Sequence, residues 1–70
     1  MTLEEMQEIT LETWRTNFPK EYKKLGKTAA QDAMACAKLT RMEMDALKLI
    51  GLDEDSAWAE ARTLFCLKRP

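Results

Sequence analysis

The sequence predicts a small all-α bundle, and three observations carry that prediction. Ala, Leu, Glu, Lys and Met dominate the chain, all good helix formers, whereas Val is absent and Ile occurs only at positions 9 and 50. Only two glycines and two prolines interrupt it. Apolar residues recur at i, i+3, i+4 and i+7 along most of its length. With 70 residues, 46% hydrophobic and 33% charged, the chain holds one folded domain, 1–70, of ordinary globular composition. A domain this short buries only about 60% of the surface its unfolded chain exposes, so its stability margin is small.

The expected elements are three main helices, 3–17, 29–50 and 54–67, and a short helical turn, 19–25. Thr2 and Glu5 have the spacing of a capping box for the first helix. Leu3, Met6, Leu11, Trp14 and Phe18 share its apolar face, while Glu5, Glu8, Glu12 and Arg15 gather opposite. Phe18 precedes Pro19 and is pushed out of the α region. Pro19 suits the first position of the short piece, which Gly26 stops and in which Tyr22 and Leu25 tuck beneath the fold.

Thr28 and Gln31 have the spacing of a second capping box, opening a helix that runs to Ile50 and is about 33 Å long. This helix carries two apolar seams. One is Ala29, Ala33, Cys36, Thr40, Met44 and Leu47; the other is Ala35, Leu39, Met42, Ala46 and Leu49, spaced 4-3-4-3. Lys38, Arg41, Asp45 and Lys48 form a narrow polar strip, with Arg41 and Asp45 placed for an i,i+4 pair. Two arrangements follow. Either the first two elements cover one seam and the last helix covers the other, or part of the second seam stays free for a second copy or a partner helix.

Gly51 occupies the position after that helix where left-handed backbone is tolerated. Leu52 then reads as a hydrophobic staple and Asp53 as the cap of the last helix. Ala57, Trp58, Ala61, Leu64 and Phe65 lie on one face of it, and Arg62 stands one turn after Trp58, where a guanidinium can stack on the indole. Cys66 points away from that face, so Cys36 and Cys66 are expected as free thiols.

The chemistry these residues exclude is as informative. The absence of histidine removes the commonest general base and metal ligand. No Cys-x-x-Cys, glycine-rich phosphate loop or complete calcium loop occurs, so neither a metal nor a cofactor is expected. Cys36 sits mid-helix and Cys66 near a helix C-terminus, where a thiolate is disfavoured. The chain reads as a non-enzyme.

The stretch "LIGLDEDSAWAEAR" has the chain order of a helix-turn-helix, but Asp53, Glu54 and Asp55 stand where a reading helix would meet phosphates. A basic turn, Lys20, Lys23, Lys24 and Lys27 beside Tyr22, is the better nucleic-acid candidate on a chain of net charge −1. Trp14 and Trp58 are each a core anchor or an interface anchor. No uncharged run approaches the length of a membrane span, and cytoplasm is the expected compartment.

"FPKEYKKLGK", then a long helix, then "GLDEDSAWAEARTLFCLKRP", is similar to small helical proteins of phages and transposable elements of Firmicutes, including the TnpV-type transposon proteins. Members pair a Pro-x-x-Tyr-x-x-Leu turn, here Pro19, Tyr22 and Leu25, with a later helix. Ser56 stands where a Glu-Ala-Trp segment would have Glu, and Leu67-Lys68-Arg69-Pro70 replaces a Leu-Pro ending. The resemblance implies a bacterial mobile-element accessory protein and assigns no functional residue. From the residues, the expected function is an accessory or adaptor role through protein–protein contact, with Ala35, Leu39, Met42, Ala46 and Leu49 as the partner surface. The alternative is weak nucleic-acid binding by the Lys20–Lys27 turn.

Overall fold

A computed structural model describes residues 1–70. The helices are α1 (Leu3–Asn17), α2 (Pro19–Leu25), α3 (Ala29–Leu49) and α4 (Glu54–Leu64), with a 3-10 turn, Gly26–Thr28, between α2 and α3. There is no strand, and the fold is a small all-α bundle. The Thr2 hydroxyl accepts from Glu5 N–H at 3.1 Å and the Glu5 carboxylate accepts from Thr2 N–H at 2.9 Å, which completes the first capping box. Phe18 leaves the α region at φ −134 and ψ 56, and Pro19 begins α2.

The second capping box does not form. Gly26 takes φ 55, the chain tightens into the 3-10 turn, and Thr28 stays at φ −89 and ψ −5. A capping side chain needs an extended residue to reach forward to the backbone two or three positions on. Thr28 instead donates its hydroxyl back to the Leu25 carbonyl, 2.9 Å, and lies 3.1 Å from the Asp32 carboxylate.

At the other end of α3 the turn closes as a Schellman motif. Leu52 N–H donates to the Leu47 carbonyl and Gly51 N–H to the Lys48 carbonyl, both at 3.1 Å, with Gly51 at φ 109. Asp53 then caps α4 by accepting from Ser56 N–H at 2.8 Å. So tight a turn sends α4 straight back along α3.

α1 and α4 run in the same direction, both antiparallel to α3, and are tied at each end. The Met1 amino group meets Glu54 at 3.0 Å, and the Trp14 indole N–H donates to the Lys68 carbonyl at 2.8 Å. Both helices lie on one side of α3, along the buried stripe Ala29, Ala33, Ala37, Thr40 and Met44. Met6, Ala37, Met44, Ala57, Ala61 and Cys66 form the central cluster, with Leu3, Met34, Leu47, Leu52 and Trp58 packed around it. Small alanines on α3 and α4 let the two backbones approach, so one face of α3 accommodates both neighbours. The arrangement in which the last helix covers the second seam is therefore not adopted.

Further expectations change. Ala37, in neither predicted seam, is fully buried, while Cys36 and Leu47 are only half-buried, because α3 is rolled toward α1. α4 stops at Leu64 instead of running to Leu67. Phe65 breaks it at φ −129 and ψ −49, and both Cys66 N–H and Leu67 N–H donate to the Arg62 carbonyl at 2.9 Å. This break swings Cys66 into the core, so Cys66 does not point away, and Leu64, expected on the apolar face, is exposed. Trp58 carries no Arg62 stack; the cation–π contact is Arg69 on the Phe18 ring, 5.6 Å from its centre.

Glu54 joins three parts of the chain. Its carboxylate pairs with Lys48 and with the Met1 amino group, and Arg41 approaches to 3.9 Å. Arg41 also donates to the Met1 carbonyl, so it does not make the expected pair with Asp45. Hydrogen bonds from Lys48 and from the amino terminus hold the Glu54 carboxyl at about 2, below the usual 4.5. A carboxyl lowered by folding stabilises the fold above its unfolded value, and that contribution fades as pH falls through the folded value. Glu54→Gln is expected to unfold at lower urea than the parent at neutral pH, with the two midpoints converging between pH 4.5 and about 2. Circular dichroism in urea across that range measures it, and a gap that stays constant into acid contradicts the assignment.

Candidate interaction surface

All five residues of the second seam are exposed: Ala35, Leu39, Met42, Ala46 and Leu49. They lie roughly 160° around α3 from the buried stripe, at about 100° per residue. The larger side chains stand well out of the fold, with Leu39 46%, Met42 67% and Leu49 88% exposed, and Ile50 extends the stripe at 75%. Isolated exposed hydrophobics are ordinary, whereas a contiguous apolar stripe along a helix is a candidate contact surface.

Open grooves border the stripe. On the α1 side lie Gln7, Ala30, Gln31, Met34, Ala35 and Lys38; on the α4 side lie Glu43, Leu47, Ala59, Glu60, Thr63 and Leu64. The Gln7 side-chain amide crosses the first groove to the Ala30 carbonyl at 2.8 Å. Lys38 and Asp45 stand two turns apart on one flank of the stripe. Both are exposed, and neither joins an ion pair within the chain. Asp45 is free because Arg41 is drawn to Glu54 and Met1.

At the far end, Lys20, Lys23 and Lys24 project from one side of α2 and Lys27 from the 3-10 turn, all four exposed. The fold adds Arg69, which reaches over Phe18 and approaches Glu21 at 3.9 Å. Nothing in the local sequence signals that the tail joins this turn. It does so because the Trp14–Lys68 bond fixes the tail beside α1.

The thiols occupy a third location. Thr40 donates its hydroxyl to the Cys36 carbonyl at 2.8 Å, which leaves the Cys66 thiol as donor in its 3.2 Å contact with the Thr40 oxygen. Burial, then the neighbouring Cys66 and Asp32, push the Cys36 thiol above its usual value, toward the unreactive protonated form. Both cysteines are free. No three His, Cys, Asp or Glu side chains converge as a metal site, and no helix is long and apolar enough to cross a membrane. Protein-family models, curated proteins and solved structures were all compared with the chain, and none matches it.

Proposed function

We propose that this chain is a non-enzymatic accessory or adaptor protein that acts by protein–protein contact through the outer face of α3. The mobile-element setting implied by its resemblance is part of the same proposal. The observation that carries it is the uninterrupted apolar stripe from Ala35 to Ile50, left uncovered although two helices pack against the opposite side of α3. Met42 at its centre is flexible and polarisable, suited to adaptable contact. Met42→Glu removes the apolar centre without touching the core, since Met42 is 67% exposed. Partner capture by the parent chain and loss of that partner with Met42→Glu, at unchanged helicity, is the expected outcome. Capture unaffected by Met42→Glu, or a chain that binds nucleic acid and no protein, overturns the reading.

One observation favours a second reading, weak nucleic-acid binding. Arg69 joins Lys20, Lys23, Lys24 and Lys27 at one end of an otherwise mildly acidic molecule. Lys23→Glu/Lys24→Glu is then expected to abolish most DNA binding and to reduce the salt dependence by about 2 in the log–log slope. Titration of a labelled duplex at several salt concentrations measures both. Binding unaltered by the double reversal removes this reading.

A further inference from the structure

We propose that the occupant of the outer face of α3 is a second copy of this chain, with the two α3 helices antiparallel. This rests on the interaction reading above and names its partner. The 4-3-4-3 spacing of Ala35, Leu39, Met42, Ala46 and Leu49 is the core spacing of a coiled coil. Leu39 and Ala46 take the a positions, and Ala35, Met42 and Leu49 take the d positions. Lys38 and Asp45 then fall on the g flank, and Cys36, Glu43 and Ile50 on the e flank.

Charge chooses among the ways two such faces can meet. In an antiparallel pair, a residues face d residues, g faces g and e faces e. One register sets Ala35 opposite Ala46 and Leu39 opposite Met42 of the second copy. It brings Lys38 against Asp45 of the second copy, and two-fold symmetry repeats that pair. Glu43 then faces Cys36 of the second copy, and no like charges meet across the seam. Sliding one heptad, to Leu39 opposite Leu49 and Met42 opposite Ala46, sets Asp45 against Asp45 and Glu43 against Glu43. Sliding the other way, to Ala35 opposite Leu39, sets Lys38 against Lys38. A parallel pair sets Lys38 against Glu43 but leaves Asp45 against the aliphatic Ile50. Only the first register satisfies both Lys38 and Asp45, the two exposed flank charges that find no partner within the chain.

Packing agrees with that register. Leu39 and Met42 make the central layers, and the alanines on either side let the helices approach closely. Leu49 reaches the first turn of the second α3, where Asp32 is already engaged by the Thr28 hydroxyl. So short a seam lies at the low end of specific interfaces, and micromolar self-association is the matching strength.

Sedimentation equilibrium of the full chain over a concentration series tests the proposal. The parent is expected to dimerise. Asp45→Lys sets like charges at both flank pairs and is expected to weaken the dimer by about tenfold. Lys38→Glu/Asp45→Lys exchanges the charges and is expected to restore it. Glu43→Lys, which faces only Cys36, is expected to leave it unchanged, whereas in a parallel pair it would oppose Lys38. These side chains lie outside the core, and circular dichroism verifies that each variant folds. A parent that stays monomeric, or a dimer weakened by Glu43→Lys and indifferent to Asp45→Lys, overturns the inference. If the monomeric parent still captures a different protein that Met42→Glu releases, the inference falls while the interaction reading stands.

Discussion

Trp14→Ala is expected to cost the fold a large share of its stability, with a urea midpoint far below that of the parent. Trp14 is the largest side chain in the core and is 1% exposed. Truncating a buried aromatic to alanine costs about 3–5 kcal/mol, from lost transfer energy and the cavity left behind. A chain of this length has a total stability on the order of 4–10 kcal/mol at typical per-residue values. The substitution therefore removes a large share of the margin. It also removes the indole N–H that holds the Lys68 carbonyl, releasing the tail that brings Arg69 to Phe18.

Trp14→Phe separates the two effects. It keeps most of the buried ring and loses the hydrogen bond, whose carbonyl lies on an exposed residue that water can serve, together with the smaller part of the indole. A loss of about 1–2 kcal/mol, well short of that for alanine, is the matching expectation. Urea unfolding followed by circular dichroism ranks the three proteins, with Trp58 fluorescence as a second probe. Near-parental stability of Trp14→Ala would mean that α1 contributes little to the fold.

The helices were legible because their signals are local. Thr2 with Glu5, Phe18 before Pro19, and Gly51 with Asp53 each act within a few residues, and each does what its spacing predicts. The core was less legible where polarity misleads. Thr10 is fully buried although threonine reads as polar, whereas Thr40, also fully buried, was placed on the apolar seam by its spacing alone. Each donates its hydroxyl to the carbonyl four residues back, at 2.8 Å, and so enters the core without an orphaned group. Cys66 was misplaced because the break at Phe65 carries no glycine or proline to announce it. The orientation of α3 was not legible at all. Ala33, Ala35, Ala37 and Ala46 are identical in chemistry, and only the paths of α1 and α4 decide which of them faces inward. The same holds for Asp45, which is left free by Arg41 turning toward residues far away in sequence. The candidate surface was therefore visible as a pattern, while its exposure and flanking charges emerged only with the packing.

Ala61→Leu is expected to destabilise the fold by about 1–3 kcal/mol, through overpacking alone. Leucine is nearly as good a helix former as alanine, so propensity contributes little to the change. Ala61 has no exposed surface and belongs to the cluster with Ala37, Met44 and Ala57, where the small side chains set how closely α3 and α4 approach. A larger side chain forces α4 outward or pushes its neighbours off their preferred rotamers. Ala59→Leu is the matched control: same helix, same chemical change, but an exposed position bordering the α4-side groove. Its expected change is within about 0.5 kcal/mol. Equal urea midpoints for the two variants would mean that the α3–α4 contact tolerates the added volume. Because α4 packs opposite the outer face of α3, Ala61→Leu should lower stability without altering the dimer affinity of the folded fraction. Met42→Glu should do the reverse, and that opposition distinguishes a surface kept for contact from one merely left over by folding.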